Sequence, residues 1–329
     1  MGRSTGASRV GCVGSTRLLR GRGGLLAAIG FVAVSGAPGG ALASDDGFRE
    51  FHGYGVEIFE KIGDACDGGD LDWTRDQAHN YFEVFDDWQS SGDWGEALYF
   101  EDNAVDGRDF TDVTNNAVCS SWQSGCSLTG ADSVNDEGAD SADVVFLSTH
   151  GGFDGGDDSL SWKMGDDFND CSVKTNNGTS VGNMYWNGDA EVLIVDACNS
   201  ARFGIWEDSV AGSPNEGMTN MLSPTGSMNT LLGYHGLSPD RTWGKNYAED
   251  VYWDGIGEDW VAEGTDFGNM SGNQDTCTVS IIFGDNEADR EHMHVWGGFN
   301  DREDTGDPTA SSTYFFIDGC DPEGADPVN

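Results

Sequence analysis

The run "EVLIVDAC" at residues 191–198 is apolar through its centre and ends on Asp196, Ala197 and Cys198. A strand with one wet face alternates apolar and polar residues, whereas a continuously apolar strand is covered on both faces, as in a parallel sheet. Two further runs have the same character, "DVVFLST" at 143–149 and "NTLLGYH" at 229–235. Their separations of roughly 30 to 40 residues leave room for a crossover helix and its loops. The expected fold is therefore α/β: a three-layer sandwich about a mostly parallel central sheet, with its core over about residues 140–265.

Outward from these strands the pattern changes. "YGVEIFEKI" at 54–62 reads as an opening strand and "EALYF" at 96–100 as another. Between them, "TRDQAHNYFEVFDDWQ" at 74–89 reads as a helix: Thr74 and Gln77 have capping-box spacing, and Ala78, Phe82, Phe85 and Trp88 recur at helical intervals. "DRTWGKNYAEDVYWDGIGEDW" at 240–260 supplies a covering helix, with Trp243, Tyr247 and Val251 stepping by four. The tail carries "TCTVSIIFG", "EHMHVWGGF" and "STYFFIDG", which read as short C-terminal strands, antiparallel or at the sheet edge. No repeat or long low-complexity tract interrupts the chain, so one domain over residues 44–329 is expected.

Residues 1–43 read as an export signal, with Arg3, Arg9, Arg17, Arg20 and Arg22 ahead of "LLAAIGFVAV" and a small-residue cleavage site "ALA" at 41–43. Gly36, Pro38, Gly39 and Gly40 cut the apolar run short of a bilayer span, and no later segment is apolar enough to supply one. A secreted, extracytoplasmic protein without a membrane span is expected.

The chain carries a formal charge of −42 and only four lysines, so its acids are not balanced by ion pairs. Such a surface repels itself in dilute buffer and is relieved by molar salt, which shortens the screening length to roughly 3 Å. It suits a saline environment and excludes nucleic acid, whose phosphates need clustered Lys and Arg. Seven cysteines follow the leader: Cys66, Cys119, Cys126, Cys171, Cys198, Cys277 and Cys320. An exported chain forms disulfides, and the odd count leaves one thiol unpaired or shared between chains.

Chemistry in an open parallel sheet gathers beyond the carboxyl ends of its strands. One central strand ends in "FLSTHGG", placing His150 just past it with Gly151 and Gly152 behind, and the next ends at Cys198. If the two strands are neighbours, an imidazole and a thiol share a crevice, which is what a cysteine nucleophile and its base require. His235, in "LLGYHGLS", is a rival base or a supporting residue near the pocket.

"VVFLSTHGG" followed 48 residues later by "LIVDACNSA" resembles the paired signature of the caspase-like cysteine peptidases, the group of caspases, metacaspases, legumains, gingipains and clostripain. The resemblance covers residues 140–240. It implies a cysteine endopeptidase acting on protein or peptide substrates, with Cys198 as nucleophile and His150 as the catalytic histidine. It further implies an oxyanion site from the backbone N–H groups of Gly151 and Cys198. Asp196 matches the aspartate of the metacaspase "DSCHSG" pattern, which lines the pocket for a basic residue before the scissile bond. Here the motif is "DACNSA", and the glutamine of the caspase "QAC" motif is absent, so aspartate specificity is not implied.

No cofactor is required by this chemistry. "FDGGDDS" and "GDDFND" offer hard oxygen ligands that suit Ca2+ but lack EF-hand spacing, and solvated loops are the expectation in so acidic a chain. "HMH" at 292–294 is expected as a strand-face pair of imidazoles without a metal. The alternative to an enzyme is a non-catalytic secreted binding or surface-associated protein on the same fold.

Overall fold

The computed structural model describes residues 49–59, 69–105, 107–110, 138–154, 159–165, 172–174, 190–202, 228–271, 276–300, 305–308 and 310–316. The leader at 1–43, Cys66, Cys119, Cys126, Cys171 and Cys320, the loop "GDDFND" beyond Gly165 and the acidic centre of "FDGGDDS" lie outside them. Seven strands form the main sheet: β1 (Glu50–Gly55), β2 (Glu96–Glu101), β3 (Val144–Ser148), β7 (Val192–Asp196), β8 (Thr230–Tyr234), β9 (Thr278–Phe283) and β10 (Ser312–Phe315). Their order is β10-β9-β8-β7-β3-β1-β2. The five strands from β2 to β8 run parallel, and β9 and β10 each pair antiparallel with their neighbour. A second, three-stranded sheet of β4 (Gly151–Asp154), β5 (Ser159–Lys163) and β6 (Ser172–Lys174) begins directly after His150.

The central strands are as apolar as a doubly covered sheet requires. Every residue of β3, β7 and β8 is buried. Their side chains alternate between two clusters: Val145, Leu147, Leu193, Val195 and Leu231 lie on one face, and Val144, Phe146, Val192, Ile194 and Leu232 on the other. The second face is covered by α1 (Thr74–Ser91), α2 (Gly244–Asp250), α3 (Ile256–Ser271) and α4 (Glu287–Trp296). On the first face, the described cover includes Leu160 and Trp162 of β5 and Val173 of β6. The described helices thus form one layer over a mixed, mostly parallel sheet, which is an α/β fold.

Helix α1 buries Ala78, Tyr81, Val84 and Phe85. Phe85 stacks on Phe51 and Tyr81 on Phe146, each at 4.1 Å between centroids, and removing each such side chain from water stabilises the fold by roughly 1.5–3 kcal/mol. The expected capping box does not form. Trp73 is the N-cap without a side-chain bond, the Thr74 hydroxyl donates to the Val56 carbonyl, and Gln77 Oε1 accepts from the N–H of Trp243 and Gly244. Both polar side chains are spent on tertiary contacts that the spacing alone could not reveal.

Three further expectations are corrected. The opening strand ends at Gly55 rather than running over 54–62, because beyond Val56 the N–H groups of Glu57, Ile58 and Phe59 donate to the Asp102 and Asp70 carboxylates instead of to a neighbouring strand. The helix expected over 240–260 is two, broken at Gly255, whose φ of 83° is left-handed. There the main chain bonds to the C-terminal end of α4, Gly255 N to Val295 O and Ile256 N to Gly297 O. "EHMHVWGGF" is not a strand: it forms most of α4, capped by the Asn286 side chain accepting from Ala288 N at 3.0 Å. Its buried residues Arg290, Met293 and His294 follow helical spacing, and His292 and His294 do not form a strand-face pair. No helix among the described residues is long and apolar enough to cross a membrane.

A candidate catalytic crevice at the carboxyl edge of the sheet

Strands β3 and β7 pair in parallel with Ser148 opposite Asp196. Two residues beyond each lie His150 and Cys198, so the register delivers them to equivalent places past adjacent strand ends. Both line one cavity, together with Thr149, Asp196, Ser238 and Asp240, closed on one side by Leu71, Thr74 and Pro239.

Each side chain is held by identifiable bonds. The β3 end is fixed by Thr149 N donating to Asp196 O at 3.2 Å and by the Thr149 hydroxyl donating to Lys163 O at 2.6 Å. His150 Nε2 lies 2.7 Å from Gly69 O, and its ring packs on Phe59 at 4.9 Å. A carbonyl only accepts, so Nε2 carries the ring proton and Nδ1 of the neutral ring keeps its lone pair. Gly69 and Phe59 are themselves set by Leu71 N donating to Glu57 O and by Phe59 N donating to Asp70 Oδ1.

Cys198 sits in the turn that ends β7. Asn199 takes a left-handed φ of 61°, a conformation Asn tolerates better than most residues, and its N–H donates to Gly236 O at 2.6 Å. The Ser200 hydroxyl donates to Val195 O and accepts from Tyr234 N, locking the turn between β7 and β8. Arg202 bonds Asn199 Oδ1 and lies 4.1 Å above the Phe153 ring of β4, bracing the cysteine turn against the strand that leaves His150. Gly151 packs on the Cys198 main chain so closely that an added Cβ would overlap the Cys198 carbonyl and come within 2.7 Å of its nitrogen.

Cys198 is a free thiol, whereas Cys277 is disulfide-bonded. Burial pushes the Cys198 thiol up and the Asp196 charge adds to this, while the Ser238 N–H, 3.5 Å from Sγ, pulls it down. On balance the neutral thiol is favoured over the thiolate. Asp196 is buried, with Ser148 donating to Oδ2 at 3.0 Å and Ser238 donating to Oδ1. Burial raises its pKa to about 6 against the pull of these hydroxyls, so it is mostly ionised at neutral pH and takes up its proton as pH falls through about 6. Asp240 accepts from the N–H groups of Asp72 and Trp73, joining the loop after β8 to the start of α1.

His150, Gly151, Asp196 and Cys198, the residues singled out in the sequence, are thus brought together. His235 does not line the crevice; it is buried, and its N–H donates to Cys277 O. Ser148, Ser238, Asp240 and the Gly69 carbonyl escaped sequence reasoning. Ser148 had a signal, being the last residue of an apolar strand two before His150; the others come from loops with none. Among the described residues, no group of three or more His, Cys, Asp or Glu could hold a metal ion. No family model, no curated protein and no solved structure matches the chain.

Proposed function

We propose that the chain is an exported caspase-like cysteine endopeptidase. The observation that carries this reading is the register of β3 and β7, which brings an imidazole and a free thiol into one crevice. His150 Nδ1 takes the Cys198 proton, and Sγ attacks the peptide carbonyl carbon. The imidazolium returns the proton to the departing amine, leaving a thioester that water hydrolyses. The Gly69 carbonyl holds the ring in the required tautomer throughout. The oxyanion is held by the backbone N–H groups of Gly151 and Cys198, whose main chains are in contact.

The pocket is proposed to take a basic residue before the scissile bond. Its described lining has two carboxylates, Asp196 and Asp240, and no Lys or Arg. Both Asp196 oxygens already accept from serine hydroxyls, so this carboxylate acts on a substrate cation chiefly through its field.

The test is peptide hydrolysis by the purified chain in molar salt, with Cys198→Ala alongside. Cleavage of Arg or Lys peptides that is lost in the variant is expected; full activity in Cys198→Ala overturns the mechanism.

A further inference from the structure

Ser238 occupies a position that neither nucleophile nor base explains. It lies in the loop after β8, its N–H 3.5 Å from Cys198 Sγ, and its hydroxyl donates to Asp196 Oδ1. Asp196 in turn accepts from Ser148 of β3 at 3.0 Å. One buried carboxylate therefore ties the end of β3, the end of β7 and the loop after β8 together. The loop is pinned at two more points, by Asn199 N donating to Gly236 O and by Asp240 accepting from Asp72 N and Trp73 N. Since the hydroxyl of Ser238 is anchored beneath the crevice, its own N–H is aimed at the sulfur.

We propose that the Ser238 N–H is a catalytic donor to the Cys198 sulfur and that Asp196, through the Ser238 hydroxyl, is the positioning residue that holds it there. When the S–H bond breaks, the proton goes to His150 Nδ1 and the electron pair stays on Sγ. The negative charge then faces a fixed N–H donor, and a hydrogen bond to a charged sulfur is stronger than one to the neutral thiol. The donor compensates for two features that disfavour the thiolate, its burial and the neighbouring carboxylate. The titratable groups that share the described lining of the crevice with Cys198 are His150 from the β3–β4 junction, Asp196 from β7 and Asp240 from the β8–α2 loop. Tyr81 of α1 and Tyr234 of β8 face Asp196 from behind, both buried and neutral. Two N–H groups favour a charged sulfur, that of Ser238 and, after it, that of Cys198 itself.

This rests on the peptidase reading for its purpose but not for its measurement. The experiment is the rate of iodoacetamide alkylation at Cys198 against pH, on the full folded chain in molar salt, with the modified residue located by mass spectrometry. Ser238→Ala removes the anchor and also one of the hydroxyls that hold the Asp196 charge; loss of that charge would by itself lower the Cys198 midpoint, so a rise in the variant reports the lost donor. The variant's midpoint is expected about one pH unit higher, with a roughly tenfold slower reaction at neutral pH, and Ser238→Thr, which retains a hydroxyl, is expected to restore the original profile. A Ser238→Ala profile identical to the parent overturns the proposal.

A second measurement needs no Ser238 variant. The Ser238 amide proton resonance in the parent chain should titrate in step with Cys198 alkylation and cease to do so in Cys198→Ser. An amide blind to that titration also overturns the proposal. Alkylation that follows these expectations in a chain that cleaves no peptide would sink the peptidase reading and leave the Ser238 donor standing.

Discussion

The crevice beyond β3 and β7 and the corner between α4 and β10 each hold a histidine, and they use it in opposite ways. His150 is only partly buried, with one nitrogen bonded to the Gly69 carbonyl in a cavity that also holds a free thiol. His294 is buried, stacks on Phe315 at 3.8 Å between centroids with planes 6° apart, and has its Nδ1 3.4 Å from the Ser280 hydroxyl. Burial lowers its pKa to about 3, so it is neutral packing material at any ordinary pH. An imidazole becomes a chemical group where strands end and loops leave space; on an inward helix face it fills volume.

The largest expected contrast is catalytic. His150→Ala should lower kcat by about 10³ or more, as loss of a catalytic base does, with little change in thermal stability. His294→Ala should leave kcat within a few-fold and destabilise the fold by on the order of 2–4 kcal/mol, as for truncation of a large buried side chain, lowering the melting temperature accordingly. Peptide hydrolysis and thermal melts on the two variants check this, and equal catalytic losses would erase the distinction.

Two glycines sharpen it. Gly151→Ala places a methyl on the Cys198 main chain and, under the proposed mechanism, should cost about 10²-fold in kcat through the proposed oxyanion donors. Gly257→Ala places one against His294 Nδ1 and the Ser280 hydroxyl and should cost stability, typically 1–3 kcal/mol, without a comparable loss of rate.

The stability of the two regions should depend on pH with opposite sign. His294 has a folded pKa of about 3 against an ordinary 6.5, so the unfolded chain takes up a proton that the folded chain refuses. Its stabilising contribution is complete above 6.5 and is lost as pH falls from there toward 3, amounting to a few kcal/mol at the acid end. His52, lowered to about 4 by burial, adds to the same loss. Asp196 has a folded pKa of about 6 against 3.8, so its contribution is complete below 3.8 and is lost as pH rises to about 6. His294→Phe should therefore flatten the acid limb of a stability profile measured by denaturant unfolding. Asp196→Asn should gain on the parent by roughly 1–3 kcal/mol between those two values.

The smallest effect concerns selectivity. As pH falls through about 6, Asp196 loses its charge, and the preference for Arg over a neutral residue before the scissile bond should weaken by about tenfold or less. Paired substrates assayed across that range measure it; a constant ratio would remove Asp196 from the pocket's selectivity.

Legibility followed how local each feature is. β3, β7 and β8 were readable because strands buried on both faces must be apolar throughout, and the ends of such runs mark where the chain surfaces. The α4 segment was misread because the alternation in "HMHVW" looks strand-like, although Asn286 with Arg290, Met293 and His294 carries the helical cap and spacing. Thr74 and Gln77 suggested a local capping box, yet their side chains bond to residues of other elements.

Residue order alone determined that three apolar strands exist and that two of them end in a histidine and a cysteine. Tertiary structure decided that those strands are adjacent and in register, that the Gly69 carbonyl sets the His150 tautomer, and that Ser238 and Asp240 reach the thiol's crevice. The division has a physical cause. Burial on both faces writes itself into consecutive residues, whereas hydrogen bonds between loops far apart in the chain depend only on where the fold carries them.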